Sequence, residues 1–277
     1  CCCLVCHFQY IQAWAMALNW LKDQLPDPPL IVAGGIGGPA IIYLVTPLRN
    51  ALTLGAQDPG ASLLECYRRA FARGSGWAGG HYLAIANVPG FLAIGPAYHL
   101  YNSLTGSAPM ALVLTAISES TILFGAETRN AQIAYNRSAA QTGASQIPLS
   151  KLRPWGPGFG IHVGRNVVAM SGMRIFSKPC EDALGALFPG MQSGARVTTS
   201  LFTANVLTAV ASTPINQLYE FSVTMRLAQG LQADKGQPIT MMAYLKRQYL
   251  LSDGSLSRVA GRDVLLRIAY TSTLYTL

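Results

Sequence analysis

The sequence has little charge. Asp, Glu, Lys and Arg make up 12% of its 277 residues, about half the share found in an average soluble domain. None of these four residue types occurs from Gly74 to Ser118, a stretch long enough for two membrane-spanning helices of about 20 residues each. The mean hydropathy is +0.30. This scarcity of charge argues against an ordinary soluble domain and predicts a membrane protein.

Motifs for catalysis and metal binding are also missing. The four histidines are far apart and have neither metal-ligand spacing nor a serine–acid context. Cys3, Cys6 and His7 have the spacing of half a zinc site, but no second pair of ligands follows. The net charge of +8 comes from basic residues scattered between apolar segments, so no nucleic-acid-binding stripe forms. We therefore expect no enzymatic activity, no metal and no nucleic-acid partner.

Apolar segments divide the chain into a short N-terminal part and six predicted spans. Residues 1–27 place apolar and aromatic side chains at roughly helical spacing, which predicts an amphipathic helix at the membrane interface. The predicted membrane-spanning helices are residues 28–57, 80–101, 108–130, 158–177, 197–226 and 259–277. Arg165 and Arg174 interrupt the fourth of them. The predicted fold is an all-α membrane bundle of six tilted helices with an extra N-terminal helix.

The charges of the connections agree with this arrangement. The connections after the first, third and fifth spans carry a basic excess of one, four and three residues. The connection at 100–118 has no formal charge, and the one at 178–196 balances two basic residues against two acidic ones. Since Lys and Arg accumulate on one side of a membrane, the long loops after the odd-numbered spans are predicted to share a side.

Three similar units follow one another between residues 28 and 277. Each odd-numbered span carries a helix breaker followed by polar residues, in VTPLRNALTLGAQ, FGAETRNAQIAYN and STPINQLYEFSVT. The breakers are Pro47, Gly125 and Pro214, which lie 78 and 89 residues apart. Such a spacing indicates internal repeats. The sequence predicts one domain of three repeats, at about 28–105, 106–188 and 189–277.

These units resemble the mitochondrial carrier family. Its members have three repeats, six tilted helices around a central cavity, and a Pro-x-[Asp/Glu]-x-x-[Lys/Arg] motif on each odd-numbered helix. The resemblance covers about residues 30–277. It implies a multi-pass protein of the mitochondrial inner membrane with kinks at Pro47, Gly125 and Pro214. In the family, the acidic and basic residues pair between repeats and close the cavity on the matrix side.

Most of the gate residues that this resemblance implies are replaced. Arg49 stands where the first acid belongs, Glu127 keeps the second, and Asn216 replaces the third. The three basic positions hold Leu52, Asn130 and Tyr219. One carboxylate cannot supply three interlocking ion pairs. The motif therefore predicts at most a single bridge, between Arg49 and Glu127.

The resemblance also implies a substrate-contact level on the even-numbered helices. Its positions are Ala86 and Asn87 on the second helix, Gly164 and Arg165 on the fourth, and Leu265, Leu266 and Arg267 on the sixth. A guanidinium there can bind a carboxylate or phosphate through two hydrogen bonds. Alternatively, Arg165 extends to the membrane interface or pairs with a neighbouring subunit. Glu119 would be costly against lipid, so we expect it to face the cavity or a polar partner.

Two functions fit these features. Because the charged gates are incomplete, the first hypothesis is a structural accessory subunit of a respiratory-chain complex, a supercomplex or ATP synthase, with transport lost. In the alternative, the protein is an active carrier that exchanges a small anionic metabolite. Under either function, the basic pairs Arg68-Arg69 and Lys246-Arg247 suit the binding of an anionic phospholipid such as cardiolipin. No other cofactor is expected.

Overall fold

A computed structural model describes residues 28–230 and 239–276. Within these ranges the chain is built from α-helices, and one isolated antiparallel bridge joins Leu250 to Leu256. The prediction of an all-α protein is confirmed for these ranges. The amphipathic helix predicted within residues 1–27 lies outside the described residues.

Ten α-helices are present in the described part of the chain. They are α1 (Pro28–Gln57), α2 (Leu63–Phe71), α3 (Gly80–Thr105), α4 (Ala108–Thr142), α5 (Phe159–Ser171), α6 (Ser177–Leu187), α7 (Ser193–Val223), α8 (Met225–Gly230), α9 (Met241–Tyr249) and α10 (Arg258–Thr276). A 3₁₀ segment at Ala72–Trp77 follows α2, and a π turn at Gly172–Phe176 joins α5 to α6. The α5–α6 unit is thus one continuous helical rod from residue 159 to residue 187.

Three of the helices are long and apolar enough to cross a membrane: Ile31–Gln57 in α1, Gly80–Thr105 in α3 and Ala108–Ala140 in α4. These helices support the prediction of a membrane protein. Helices α7 and α10 are as long as a span but carry more polar side chains, among them Asn216 in α7 and Arg262 in α10. Length and composition thus support three of the six predicted spans, and the other three stay a prediction.

The long helices pack in chain order. Helix α1 contacts α3, α3 contacts α4, α4 contacts α5, and the α5–α6 unit contacts α7. Helix α10 packs on α7 and returns to α1. The six long helical units therefore form a closed ring, which positions one face of each unit toward a common centre.

Polar side chains are buried inside this ring. Among the residues less than 9% exposed are Arg49, Glu127, Asn130, Gln132, His162, Arg165, Asn216, Gln217, Glu220 and Arg267. Large apolar side chains instead point outward, among them Val32, Ile36, Leu44, Ile85, Leu104, Val113, Phe202 and Leu207. Ionisable groups in a membrane protein face the bundle interior or an internal cavity, and apolar groups face the lipid. This distribution agrees with a lipid-facing outer surface.

Two equivalent helix starts support the internal repeat. Helices α3 and α5 each begin directly after a glycine with a positive φ, Gly79 at 75° and Gly158 at 89°. Non-glycine residues rarely adopt this left-handed conformation. The two glycines turn the chain from the preceding loop into the next long helix at corresponding places of the first and second predicted repeats.

The C-terminal end of α1 is capped by side chains from distant parts of the chain. Arg262 donates hydrogen bonds to the carbonyl oxygens of Gly55 (2.6 Å), Asp58 (2.8 Å) and Ala61 (2.6 Å). It also pairs with the neighbouring Asp263 at 2.8 Å. The Tyr244 hydroxyl donates to the Ala56 carbonyl at 3.0 Å. Because the last carbonyls of a helix have no partner within it, these bonds satisfy groups that would otherwise be unpaired.

The turn after α1 is fixed by an ion pair. Arg69 of α2 donates to Asp58 at 2.8 Å, and the Gly60 amide donates to the same carboxylate at 3.0 Å. Partial burial alone would raise the pKa of Asp58, but the Arg69 and backbone hydrogen bonds outweigh it and lower that pKa below its ordinary value. Asp58 is therefore charged at neutral pH and holds α2 against the end of α1.

Gly125 allows another segment of the chain to pass close to α4. Pro47 and Pro214 lie inside α1 and α7, and α4 likewise continues through Gly125 without interruption. A Cβ atom at Gly125 would lie 2.7 Å from the Arg153 carbonyl oxygen and 2.8 Å from its nitrogen. The missing side chain thus lets the segment before α5 cross α4 closely.

Gly125→Ala is therefore expected to destabilise the protein by about 1–3 kcal/mol, because the backbone at Arg153 must move away. Gly164→Ala is the matched control, since a Cβ atom at Gly164 meets nothing within 4 Å. That control is expected to be neutral or to stabilise by up to about 1 kcal/mol through better helix propensity. Thermal unfolding in mild detergent checks both variants. Equal melting temperatures for the two would contradict the close crossing.

Candidate functional site

A cavity of about 300 Å³ lies inside the helix ring. Its wall is formed by α1, α3, α4, the α5–α6 unit and α10. The polar and charged lining residues are Arg49, Asn87, Glu119, Glu127, Arg165, Asn166, Arg174, Arg267, Tyr270 and Thr271. The cavity therefore takes its polar character from side chains of five different parts of the chain.

The cavity has a closed end and a more exposed end. Arg49, Glu127 and Arg165 at one end are 4–7% exposed. Gly95 and Arg174, further along their helices toward the turn at 106–107, are half-buried. Arg165 and Arg174 are nine residues apart, about 14 Å along a helix. The increase in exposure along this length indicates that the cavity opens toward the end that carries the α3–α4 turn.

A cluster centred on Glu127 forms the closed end. Its Oε2 atom accepts hydrogen bonds from Arg49 Nη2 at 2.9 Å and from Arg165 Nη2 at 2.8 Å. His162 Nε2 lies 3.1 Å from the same oxygen. The predicted bridge between Arg49 and Glu127 is thereby confirmed. The cluster joins α1, α4 and α5 through one carboxylate.

Arg165 is fully engaged inside the bundle. Besides Glu127, it donates to Asn166 Oδ1 from Nε at 3.0 Å and from Nη2 at 2.7 Å. Its guanidinium lies 5.1 Å from the centre of the Tyr219 ring, within the range of a cation–π contact. Arg165 is 5% exposed. The alternative in which this residue extends to the membrane interface or pairs with a neighbouring subunit is therefore wrong.

His162 belongs to the same cluster, although no role could be assigned to it from the sequence. Its Nδ1 atom lies 3.0 Å from Ser120 Oγ, which fixes the ring on the α4 side. His162 and Arg165 are three residues apart and share a face of α5. That spacing is the sequence signal that links them, but it identifies a partner only once Glu127 is known to face both.

Hydrogen bonds to uncharged side chains join the helices of the third repeat. Arg267 of α10 donates to Asn216 Oδ1 at 3.2 Å and to Ser212 Oγ at 3.3 Å, both on α7. Tyr219, which stands at the basic position of the motif, holds its hydroxyl 3.0 Å from Thr128 Oγ1 on α4. The acceptors of Arg267 are thus neutral side chains of α7, and a hydroxyl pair joins α7 to α4.

Two further carboxylates lie inside the ring. Glu119 lines the cavity as predicted, and its Oε2 atom is buried without a hydrogen-bond partner among the described residues. Glu220 of α7 is 2% exposed, and its Oε2 atom also has no partner in the described part of the chain. The motif comparison did not identify Glu220, because this residue lies outside the acidic position that Asn216 occupies.

On each even-numbered helix, one of the residues predicted for the substrate-contact level lines the cavity. Asn87, Arg165 and Arg267 line the cavity. Ala86, Gly164 and Leu265 are not part of its described lining, and the Leu265 side chain is 54% exposed on the outer surface. Leu266 is fully buried in an apolar cluster with Ala51 and Leu52. A contact between Leu265 and a substrate in the cavity is therefore wrong, because its side chain points away from the ring.

Arginines outnumber carboxylates in the cavity. The charged lining residues are Arg49, Arg165, Arg174, Arg267, Glu119 and Glu127. When Glu220, which is buried behind this lining, is counted as well, four arginines stand against three glutamates, and one positive charge remains in excess. A buried positive excess is costly unless a counter-charge is present. The cavity is thus electrostatically suited to an anion.

Comparison with known proteins gives no match for this chain. No protein-family model, no curated protein and no solved structure matches it. The resemblance to mitochondrial carriers therefore stays a prediction from the sequence, and the function has to be argued from the cavity and its charges.

Proposed function

We propose that this protein is a carrier-like membrane protein that binds a small anion in its central cavity and moves it across the bilayer. The observation that best supports this proposal is the cavity of about 300 Å³, whose lining contains four arginines and two glutamates. This volume is at the lower end of the usual range for ligand pockets. A small metabolite therefore fits better than a large one.

The arginines provide the specificity for negative charge. Besides Arg49 and Arg165, which bind Glu127, the lining contains Arg174 and Arg267. Guanidinium groups bind carboxylates and phosphates through charge-assisted hydrogen bonds. In a cavity shielded from water such bonds are stronger than at a surface. An anion would offset the positive excess that the protein leaves uncompensated.

The proposed topology is six tilted spans in three repeats. It is supported by the closed ring of six helical units, by the matching glycine turns before α3 and α5, and by the outward apolar side chains. The mitochondrial inner membrane is proposed from the carrier resemblance alone. In this arrangement the cavity is open toward the α3–α4 turn and closed at Glu127.

The test of anion binding uses purified protein in mild detergent. Inorganic phosphate, sulfate, monocarboxylates, dicarboxylates and tricarboxylates are added in turn, and thermal unfolding is followed. At least one anion is expected to raise the melting temperature. Arg267→Gln is expected to weaken that anion's binding by about tenfold or more, since a hydrogen bond to a charged group is lost. Arg258→Gln, at an exposed position on the same helix, is the matched control.

Proteoliposomes then test transport itself. The anion that stabilises the protein is expected to exchange across the membrane, and the exchange is expected to fall with Arg267→Gln but not with Arg258→Gln. If no anion of the panel stabilises the protein or exchanges, the proposed function is wrong.

A second function, the accessory subunit of a respiratory-chain complex, a supercomplex or ATP synthase, is favoured by the incomplete gate. Of the three acidic motif positions only Glu127 carries a carboxylate, and Asn216 forms a neutral partner of Arg267 instead. A subunit of this kind is expected to comigrate with a large inner-membrane complex on a native gel in mild detergent. Migration only as a free species of its own mass would count against it.

A bound anionic phospholipid such as cardiolipin also stays a proposal. Arg68, Lys246 and Arg247 have exposed side chains on α2 and α9, where a headgroup can reach them. Arg69 instead forms ion pairs with Asp58 and Glu65. The exposed members of the two basic pairs are therefore the ones that support lipid binding.

A further inference from the structure

Glu119 is placed differently from the other cavity carboxylate. It lies eight residues before Glu127 on α4, about 12 Å along the helix and on the more exposed side of the closed end. Glu127 Oε2 is within 3.1 Å of three nitrogen atoms. Glu119 Oε2 has no hydrogen-bond partner among the described residues. Glu127 is thus held through one oxygen by Arg49, Arg165 and His162, whereas one oxygen of Glu119 remains open to a proton.

The neighbours of Glu119 do not fix its charge. The nearest charged groups are Glu127 on its own helix and Arg165 on α5, and Asn166 lies beside it as a hydrogen-bond donor. Arg165 is already committed to Glu127 and Asn166. The surrounding wall holds further charged or titratable groups: Arg49 on α1, His162 on α5, Arg174 in the π turn, and Arg267 and Tyr270 on α10. On α3 the facing residues, Asn87 and Phe91, are neutral. Arg49 and Arg165 form their salt bridges with Glu127, and Arg174 lies over the ring of Tyr98 at 4.6 Å.

The protonation of Glu119 changes how strongly the cavity attracts an anion. With Glu119 ionised, four arginines and three glutamates leave an excess of one positive charge inside the ring. With Glu119 neutral the excess is two. A unit charge within about 10 Å of a bound anion changes its affinity by about tenfold at the effective dielectric constant of such sites. A proton on Glu119 and an anion in the cavity therefore favour each other.

We propose that Glu119 is the proton site of an anion–proton cotransport cycle, an inference that depends on the anion-carrier function proposed above. Water at the open end supplies a proton to the Glu119 carboxylate, which becomes a neutral carboxyl group as the anion binds. When the cavity opens on the other side, the carboxyl group returns the proton to water and the anion leaves. A monoanion moved in this way transfers no net charge across the membrane.

The linkage is tested by anion binding to the purified protein between pH 6 and pH 8. Sulfate and propionate are used, because neither takes up a proton in this range. In the unmodified protein the half-saturating concentration is expected to rise about tenfold from pH 6 to pH 8, since the proton favours the anion-bound form. Glu119→Gln, which mimics the protonated carboxyl group, is expected to bind with the same affinity at both pH values, close to that of the unmodified protein at pH 6.

Glu181→Gln is the matched control, because Glu181 is a peripheral acid of α6 that pairs with Lys178. It is expected to retain the pH dependence. Calorimetry of the unmodified protein in two buffers with different ionisation enthalpies counts the protons directly, so the test does not depend on the folding of a variant. Uptake of about half a proton per bound anion is expected on average within this range of pH, as a tenfold change in affinity over two pH units requires, and Glu119→Asp is expected to keep part of it.

The possible outcomes separate the two proposals. Binding of an anion without pH dependence or proton uptake overturns the coupling and leaves the anion-carrier function in place. If Glu119→Gln shows the same pH dependence as the unmodified protein, the proton binds to another group, and the proposed coupling through Glu119 is wrong. If neither sulfate nor propionate binds, the coupling is wrong, and so is the proposed anion site for both classes of anion.

Discussion

Replacing Glu127 by Gln is expected to reduce the free energy of unfolding by about 3–5 kcal/mol. Arg49 and Arg165 both donate to the same Glu127 oxygen, and each is about 5% exposed. Without the carboxylate the two buried guanidinium groups lose the oxygen that bridges them and repel each other as like charges, which is costlier than the loss of one hydrogen bond. Thermal and denaturant unfolding in mild detergent measure the effect.

Two controls separate this effect from the loss of any ion pair. Glu181→Gln removes a peripheral carboxylate whose partner Lys178 has a 71% exposed side chain, and such pairs contribute about 0–1 kcal/mol. Arg49→Gln combined with Glu127→Gln is expected to cost less than the sum of the single changes, because the two side chains interact directly. Additive costs, or a Glu127→Gln effect no larger than that of Glu181→Gln, would contradict the description of the cluster.

Arg262→Ala is expected to be comparably severe, with a loss of about 3–5 kcal/mol. Its guanidinium binds the carbonyl oxygens of Gly55, Asp58 and Ala61 and the carboxylate of Asp263. Removing it leaves the buried Gly55 carbonyl without this donor and the buried Asp263 carboxylate without its counter-charge. The end of α1 then loses its polar attachment to α10, and the two helices are joined there mainly by the packing of Leu266 on Ala51 and Leu52.

Arg262→Lys and Arg258→Ala define what the guanidinium contributes. Lysine keeps the charge but cannot reach carbonyls in several directions with a planar group, so most of the loss is expected to remain. Arg258 is exposed at the start of α10, and its replacement by Ala is expected to change stability by less than about 0.5 kcal/mol. A melting temperature of Arg262→Ala equal to that of Arg258→Ala would show that the α1 cap is not needed.

Helix positions could be predicted from the sequence better than helix lengths. The charge-free stretches and the glycine and proline breakers indicate the positions of α1, α3, α4 and α7 correctly. Helix α4 nevertheless continues to Thr142 and the α5–α6 unit to Leu187, beyond the predicted ends at 130 and 177. Hydropathy identifies the part of a helix that can lie in lipid, whereas backbone hydrogen bonding continues through the polar turns on either side.

The candidate site was predictable only in part. The Arg49–Glu127 bridge follows from the motif positions, because both residues belong to the repeated pattern. His162 and Arg262 could not be assigned partners. His162 contacts Glu127 and Ser120 on another helix, and Arg262 mainly contacts backbone carbonyls, which have no sequence signature. The choice of Asn87 over Ala86 depends on the rotation of a helix about its axis, and one residue corresponds to about 100°.

The three-way contact at Glu127 also constrains how the protein can be assembled. Arg49 is made 78 residues before its partner Glu127, and Arg165 follows that partner by 38 residues. A charged residue costs up to about 2.5–3.5 kcal/mol when it lies at the centre of a single inserted helix, and Arg49 lies eight residues before the end of α1. The first helix therefore contains a guanidinium without its counter-charge until the part of α4 that carries Glu127 has been made.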